Sequence, residues 1–133
     1  MNTVELDSQI LDVNDLGQSD FPGELAWLGT TGTAVCIYPD NQTETLDWAT
    51  WTAAGGWVLG ADLAVPGKGN TESGLLRSFP NQDRVLAVFS DSNGALYSAT
   101  FDGTNWALTN GGTPLETDLS TTGSAPFSFA FEK

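Results

Sequence analysis

Short apolar runs alternate with polar, turn-forming clusters along most of the chain. Val35-Cys36-Ile37-Tyr38, Leu46 to Trp51, Gly56-Trp57-Val58-Leu59, Leu86-Ala87-Val88-Phe89, Leu96 to Phe101 and Asn105-Trp106-Ala107-Leu108 are rich in aromatic, aliphatic and β-branched residues. Runs of this length and content favour a pleated, half-buried strand. Between them stand Asp91-Ser92-Asn93-Gly94, Asp102-Gly103-Thr104-Asn105, Gly55-Gly56 and Gly111-Gly112. Asn, Asp and Gly tolerate the positive φ that tight hairpins demand, so these clusters predict hairpin turns. No apolar stripe of helical spacing lasts three turns, and the fold class predicted is all-β. In Thr3 to Leu16 the apolar positions Val4, Leu6, Ile10, Leu11, Val13 and Leu16 fit neither period.

The runs also repeat. Residues 35–40 match 86–91, Leu46 to Trp51 matches Leu96 to Phe101, and Gly56 to Leu59 matches Asn105 to Leu108, a period of about 50 residues. A longer offset pairs Leu11-Asp12 with Leu115-Glu116, Pro22 with Pro126, and Leu25-Ala26-Trp27 with Phe129-Ala130-Phe131. The chain thus reads as a single all-β repeat domain, 1–133, of about two and a half units. Residues 1–29 end one unit and start the next, 30–79 are the first repeat, and 80–133 are the second repeat and the start of a third. Four short strands in about 50 residues is the size of a β-propeller blade. A blade needs a neighbour on each face, and two and a half blades cannot close a ring. The expected architecture is therefore four-stranded antiparallel blade-like repeats of the β-propeller type. They would be completed by other copies, a trimer being favoured, or by further repeats of a longer chain. An open β-sandwich is the alternative.

Composition narrows the chemistry. Seventeen acidic against four basic residues give a net charge of −13. That disfavours nucleic acid and anionic lipid, both of which recruit Lys and Arg. No run of about 18 apolar residues is present, so no membrane insertion is expected. The first seven residues lack the basic and apolar regions of a signal peptide. There is no histidine, which removes Ser-His and Cys-His pairs and the commonest metal ligand. The lone Cys36 sits in an apolar run and reads as a small buried hydrophobe. Asp91 to Gly94 and Asp12-Val13-Asn14-Asp15 are oxygen-rich but supply too few ligands for calcium and read as turns. Asn41-Gln42-Thr43 fits a glycosylation acceptor, a motif frequent by chance. No metal and no cofactor are expected.

Ala99 to Trp106, with Leu115-Glu116-Thr117 and Pro126 to Glu132, resembles a bacterial tandem-repeat class with a "W-(D/N)-G-x-x-W … L-E-T … P-F-(D/S)-x-A-(Y/F)-E" pattern. That class is regarded as sialidase-like propeller blades. The resemblance covers the last 50 residues or so and, more loosely, residues 33–64, where Trp51 to Trp57 replaces the Asp-Gly turn. It implies architecture rather than activity. Sialidase chemistry would need an arginine cluster, and the chain has only Arg77 and Arg84, with Tyr38 and Tyr97 as its tyrosines. A second resemblance, through Ile37-Tyr38, Trp51 and Trp57, is to small fucose-binding lectins whose two-bladed chains trimerise. Their arginine position falls on Cys36 and Ala87 and their glutamate position on Trp48 and Ser98, so this resemblance implies assembly without that mode of fucose binding.

The five tryptophans remain the residues of most interest. Trp27, Trp48, Trp51, Trp57 and Trp106 either build core between blades or stack on sugar rings. Trp48 and Trp51, three apart, should face opposite sides of a strand. Trp48 is matched by Ser98 in the second unit, so it is expected to do something other than fill core. Trp57 and Trp106 recur at one repeat position and read as structural. The candidate ligand-binding residues are Trp48, Trp51 and Arg84; no catalytic residue is assigned. The function expected is a non-catalytic binding and assembly module with carbohydrate as the favoured ligand. Its acidic, surface-type repeat suits an extracellular, cell-surface or virion-surface setting. The alternatives are a glycoside-active enzyme with a carboxylate pair and a structural spacer of a larger surface protein.

Overall fold

The computed structural model describes residues 23–39, 42–120 and 127–131. The segments Thr3 to Leu16 and Asp12 to Asp15, and Leu11, Pro22, Asn41 and Pro126, lie outside the described residues. The chain is all-β. Glu24–Trp27 (β1), Ala34–Tyr38 (β2), Thr45–Thr52 (β3) and Gly56–Leu59 (β4) form sheet I in that order, with Leu63–Ala64 (β5) also on β3. Thr71–Ser78 (β6), Val85–Asp91 (β7), Leu96–Phe101 (β8) and Trp106–Leu108 (β9) form sheet II in that order. Every pairing among the described strands is antiparallel, and all but β3–β5 join chain neighbours. The predicted turns at Asp91 to Gly94 and Asp102 to Asn105 join β7 to β8 and β8 to β9. Asp102 accepts the Thr104 and Asn105 amides at 2.9 and 2.8 Å, which closes the second of these turns on itself.

The repeat extends to register and backbone hydrogen bonds. In sheet I one cross-strand row runs Leu25–Cys36–Ala49–Leu59 and the next runs Trp27–Ala34–Trp51–Trp57. Sheet II repeats them as Leu76–Ala87–Ala99–Leu108 and Ser78–Val85–Phe101–Trp106. The Leu28 amide donates to Thr33 as Phe79 does to Arg84, at 2.8 and 2.9 Å. The Val65 amide donates to Glu44 as Leu119 does to Gly94, at 2.7 and 2.9 Å. Both acceptors have positive φ, 64° at Glu44 and 78° at Gly94. Gly94 also lies so close to the Leu119 carbonyl that a Cβ would meet it at 2.9 Å, so only glycine fits there without a shift. The two sheets divide the chain after β5, one strand out of step with the 30–79 frame: β1 belongs with β2 to β5, and β6 with β7 to β9.

The sheets pack face to face across one apolar layer. Ala26, Leu28, Val35, Ile37 and Leu46 from sheet I meet Leu76, Val85, Ala87, Phe89, Tyr97, Ala99 and Phe101 from sheet II. Tyr97 stacks on Phe89 with ring centroids 5.7 Å apart. Each fully buried side chain of this size contributes roughly 1.5–3 kcal/mol, so the layer is the main source of stability. Alternation along each strand leaves an outer face on both sheets.

These two packed faces are not equivalent. The inner face of sheet II carries Val85, Phe101 and Trp106, whose counterparts in sheet I are Ala34, Trp51 and Trp57 on its outer face. The inner face of sheet I carries Ile37 and Trp48, whose counterparts Val88 and Ser98 lie on the outer face of sheet II. The units therefore stack head to tail, front of one against back of the next.

Candidate functional site

Strand β3 places Trp48 and Trp51 on opposite faces of sheet I, as their spacing predicts. Trp48 points into the layer between the sheets. Its ring centroid is 5.2 Å from that of Phe101 and 6.4 Å from that of Trp106. The indole N–H donates to the Ala61 carbonyl at 2.7 Å. Gly60 lies flush against the ring, where a Cβ would come within 2.0 Å of Trp48 Cε2. Packing accounts for these contacts, which corrects the expectation that Trp48 stands apart from the core. The match to Ser98 misled because equivalent positions have different neighbours here. Ser98 is on the outer face of sheet II, buried and hydrogen-bonded to the Thr109 hydroxyl, and among the described residues no second sheet packs on that face.

Trp51 lies on the outer face of sheet I, in the row with Trp27 and Trp57. The Trp27 and Trp51 rings meet edge to face at 5.7 Å. Trp27 is 52 % exposed and Leu59 52 %, with Leu25 exposed beside them. The floor between these large groups is made of buried Ala34, Cys36 and Ala49. Burial pushes the Cys36 thiol up to about 11, an effect partly offset by a backbone hydrogen bond at Ala49. This ledge of indoles and leucines over a small-residue floor is the most distinctive surface among the described residues.

Arg84 is elsewhere. It sits exposed in the turn before β7, its guanidinium 5.1 Å from the centroid of the Phe79 ring. The three candidate ligand residues thus lie on different surfaces and do not converge. Neighbouring Asp83 joins the two units: it accepts from the Thr30 amide at 2.7 Å, from the Thr31 amide at 3.3 Å and from the Thr30 hydroxyl. These donors, the hydroxyl first, hold its carboxyl below the usual range. Arg77 on β6 pairs with Glu24 on β1 at 3.3 Å, a second link between units.

Two further titratable groups are taken up by the fold. Asp91 is fully buried and accepts from the amides of Gly69, Asn93 and Ala95 at 2.7, 3.1 and 2.8 Å, pinning the β7–β8 turn to the linker between sheets. Tyr97 is buried against Phe89, and its hydroxyl is raised by burial first and by Asp91 second, away from a nucleophile's range. Among the described residues no three His, Cys, Asp or Glu side chains gather as a metal would need.

Sequence reasoning passed over β6, whose apolar pattern is broken by Glu72, Ser73 and Gly74. The match of Leu25-Ala26-Trp27 to Leu76-Arg77-Ser78 that would have found it is weak in identity and emerges only from the register. It also left Trp27 unassigned, although its place beside Leu25 on an alternating run was visible. No protein-family model matches the chain, and no curated protein or solved structure matches it.

Proposed function

We propose that this chain is a non-catalytic, propeller-type assembly module that presents two blades and receives further ones. The observation that supports it is the head-to-tail stacking of sheets I and II through non-equivalent faces of one repeat. Such heterologous stacking has no internal stop: each added unit buries one open face and presents another. Propellers of about four to eight blades correspond to two to four chains of this size.

The reading is tested with a chain carrying two copies in tandem, labelled with fluorotryptophan and followed by fluorine NMR. The expected result is that Trp27 and Trp51 of the second copy become shielded from solvent while those of the first stay open. Equal exposure in both copies overturns the reading.

Carbohydrate binding is the second reading, favoured by the half-exposed Trp27 set edge-on to Trp51, an arrangement suited to the apolar face of a sugar ring. It would fit a cell- or virion-surface setting. A glycan array probed with the wild type and with Trp27→Ala tests it; binding unaffected by the substitution, or no binding by folded protein, removes it.

A further inference from the structure

We infer that the partner of the aromatic ledge on sheet I is the outer face of sheet II in a second copy of this chain, docked head to tail. The inference rests on the module reading and adds to it the identity of the partner and both contact surfaces. Inside one chain, the face bearing Val85, Phe101 and Trp106 is covered by the face bearing Val35, Ile37 and Trp48. The repeat counterparts of the first face are Ala34, Trp51 and Trp57, which remain on the outside with Trp27 and Leu59. The counterparts of the second face are Leu86, Val88 and Ser98 on the outer face of sheet II, where Leu86 is partly exposed while Val88 and Ser98 are buried within the single chain. Each molecule therefore carries the residues of both halves of an interface whose template it already contains, the sheet II half being partly covered in the single chain. A surface with exposed Leu25, Trp27 and Leu59 around a buried floor is also the kind of apolar patch that marks protein contact sites.

The described C-terminal segment supports the direction of growth. Phe129 and Phe131 match Leu25 and Trp27 in sequence. Phe131 packs on Phe79, just past β6, with centroids 4.3 Å apart, and the Arg77 guanidinium lies 6.0 Å from the Phe129 ring centroid. β6 is thus flanked by β1 through Glu24–Arg77 and by residues 129–131 through Arg77 and Phe79, as the first strands of three successive units would be. The first strand of an incoming copy therefore competes with this segment. The net charge of −13 on each copy opposes docking and is screened by salt, so association should strengthen as ionic strength rises.

The experiment blocks one face at a time. Trp27→Glu closes the sheet I face and Leu86→Glu the sheet II face; melting curves establish that both fold, and Thr100→Lys replaces Leu86→Glu if that variant does not. Light scattering coupled to size exclusion is expected to give the wild type a mass above 14.0 kDa that rises with concentration, and each variant 14.0 kDa. An equimolar mixture of the two variants should recover a species of twice 14.0 kDa, because one open face of each kind remains. A mixture that stays monomeric, or a sheet II variant that assembles like the wild type, overturns the inference. A wild type that is monomeric throughout overturns it as well. If the tandem chain nevertheless shields Trp27, the module reading survives this failure; if it does not, both fall.

Discussion

Replacing Trp48 by Ala tests whether the layer between the sheets is built as described. Full truncation of a buried Trp or Phe to Ala costs about 3–5 kcal/mol. Trp48 is only partly buried, although its ring rests on Phe101 and Trp106, so the packing loss is set lower, at about 2–3 kcal/mol. The indole hydrogen bond to Ala61 at 2.7 Å adds about 1 kcal/mol. Ala61 is exposed, so its carbonyl regains water and no penalty for an orphaned acceptor follows. The total is about 3–4 kcal/mol, and with a urea m-value of about 2 kcal/mol/M the midpoint falls by roughly 1.5–2 M. Trp48→Phe keeps most of the ring contact and loses the hydrogen bond, for a cost of about 1 kcal/mol. Urea titrations followed by circular dichroism measure both. A Trp48→Ala midpoint within about 0.5 M of wild type would refute the packing role.

Three further predictions follow from the same geometry. Gly60→Ala, whose Cβ would sit 2.0 Å from the Trp48 ring, should cost about 1–3 kcal/mol in the wild type and close to nothing in a Trp48→Ala background, a coupling that a double-mutant cycle in urea reads directly. Asp83 is held ionised in the native state by Thr30 and Thr31, so its stabilisation is complete above the ordinary aspartate pKa of about 3.9 and is lost as pH falls through the lowered native value. Asp83→Asn should therefore flatten the acid side of the melting-temperature profile; an unchanged profile contradicts the link. Cys36, buried with its thiol pushed up to about 11, should resist a thiol reagent at pH near 8 in native protein and react at once in denaturant, and rapid native labelling would show that the ledge floor is open.

The strands with clean alternation were legible in the sequence, and so were the Asp-Gly and Asn-Gly turns that join them. Val85 to Asp91 and Leu96 to Phe101 pair as the two-residue period and the intervening Asp91 to Gly94 predict. Strand β6 was not legible, because a strand covered by neighbours on both sides tolerates Gly74 and polar Ser73, and those residues erase the period. The repeat was visible, but its frame was not: a repeat can be cut at any strand, and only hydrogen bonding shows that β1 joins β2 to β5. The candidate site illustrates the harder limit. Trp48 and Trp51 were correctly placed on opposite faces, yet which face meets the second sheet depends on the sense of stacking between units. That sense is a tertiary property, and it reversed the roles read from the match of Trp48 to Ser98. Arg84 had no local signal for its ring partner, since Phe79 reaches it only through the β6–β7 turn.

The head-to-tail packing of sheets I and II is the claim on which the rest depends, and proton–proton contacts between assigned aromatic rings test it most directly. The expected cross-peaks run from the Trp48 indole to the rings of Phe101 and Trp106, whose centroids lie 5.2 and 6.4 Å away, with Trp51 touching Trp27 instead. Cross-peaks joining Trp51 to Phe101, its own repeat counterpart, would mean that equivalent faces meet, and would contradict it.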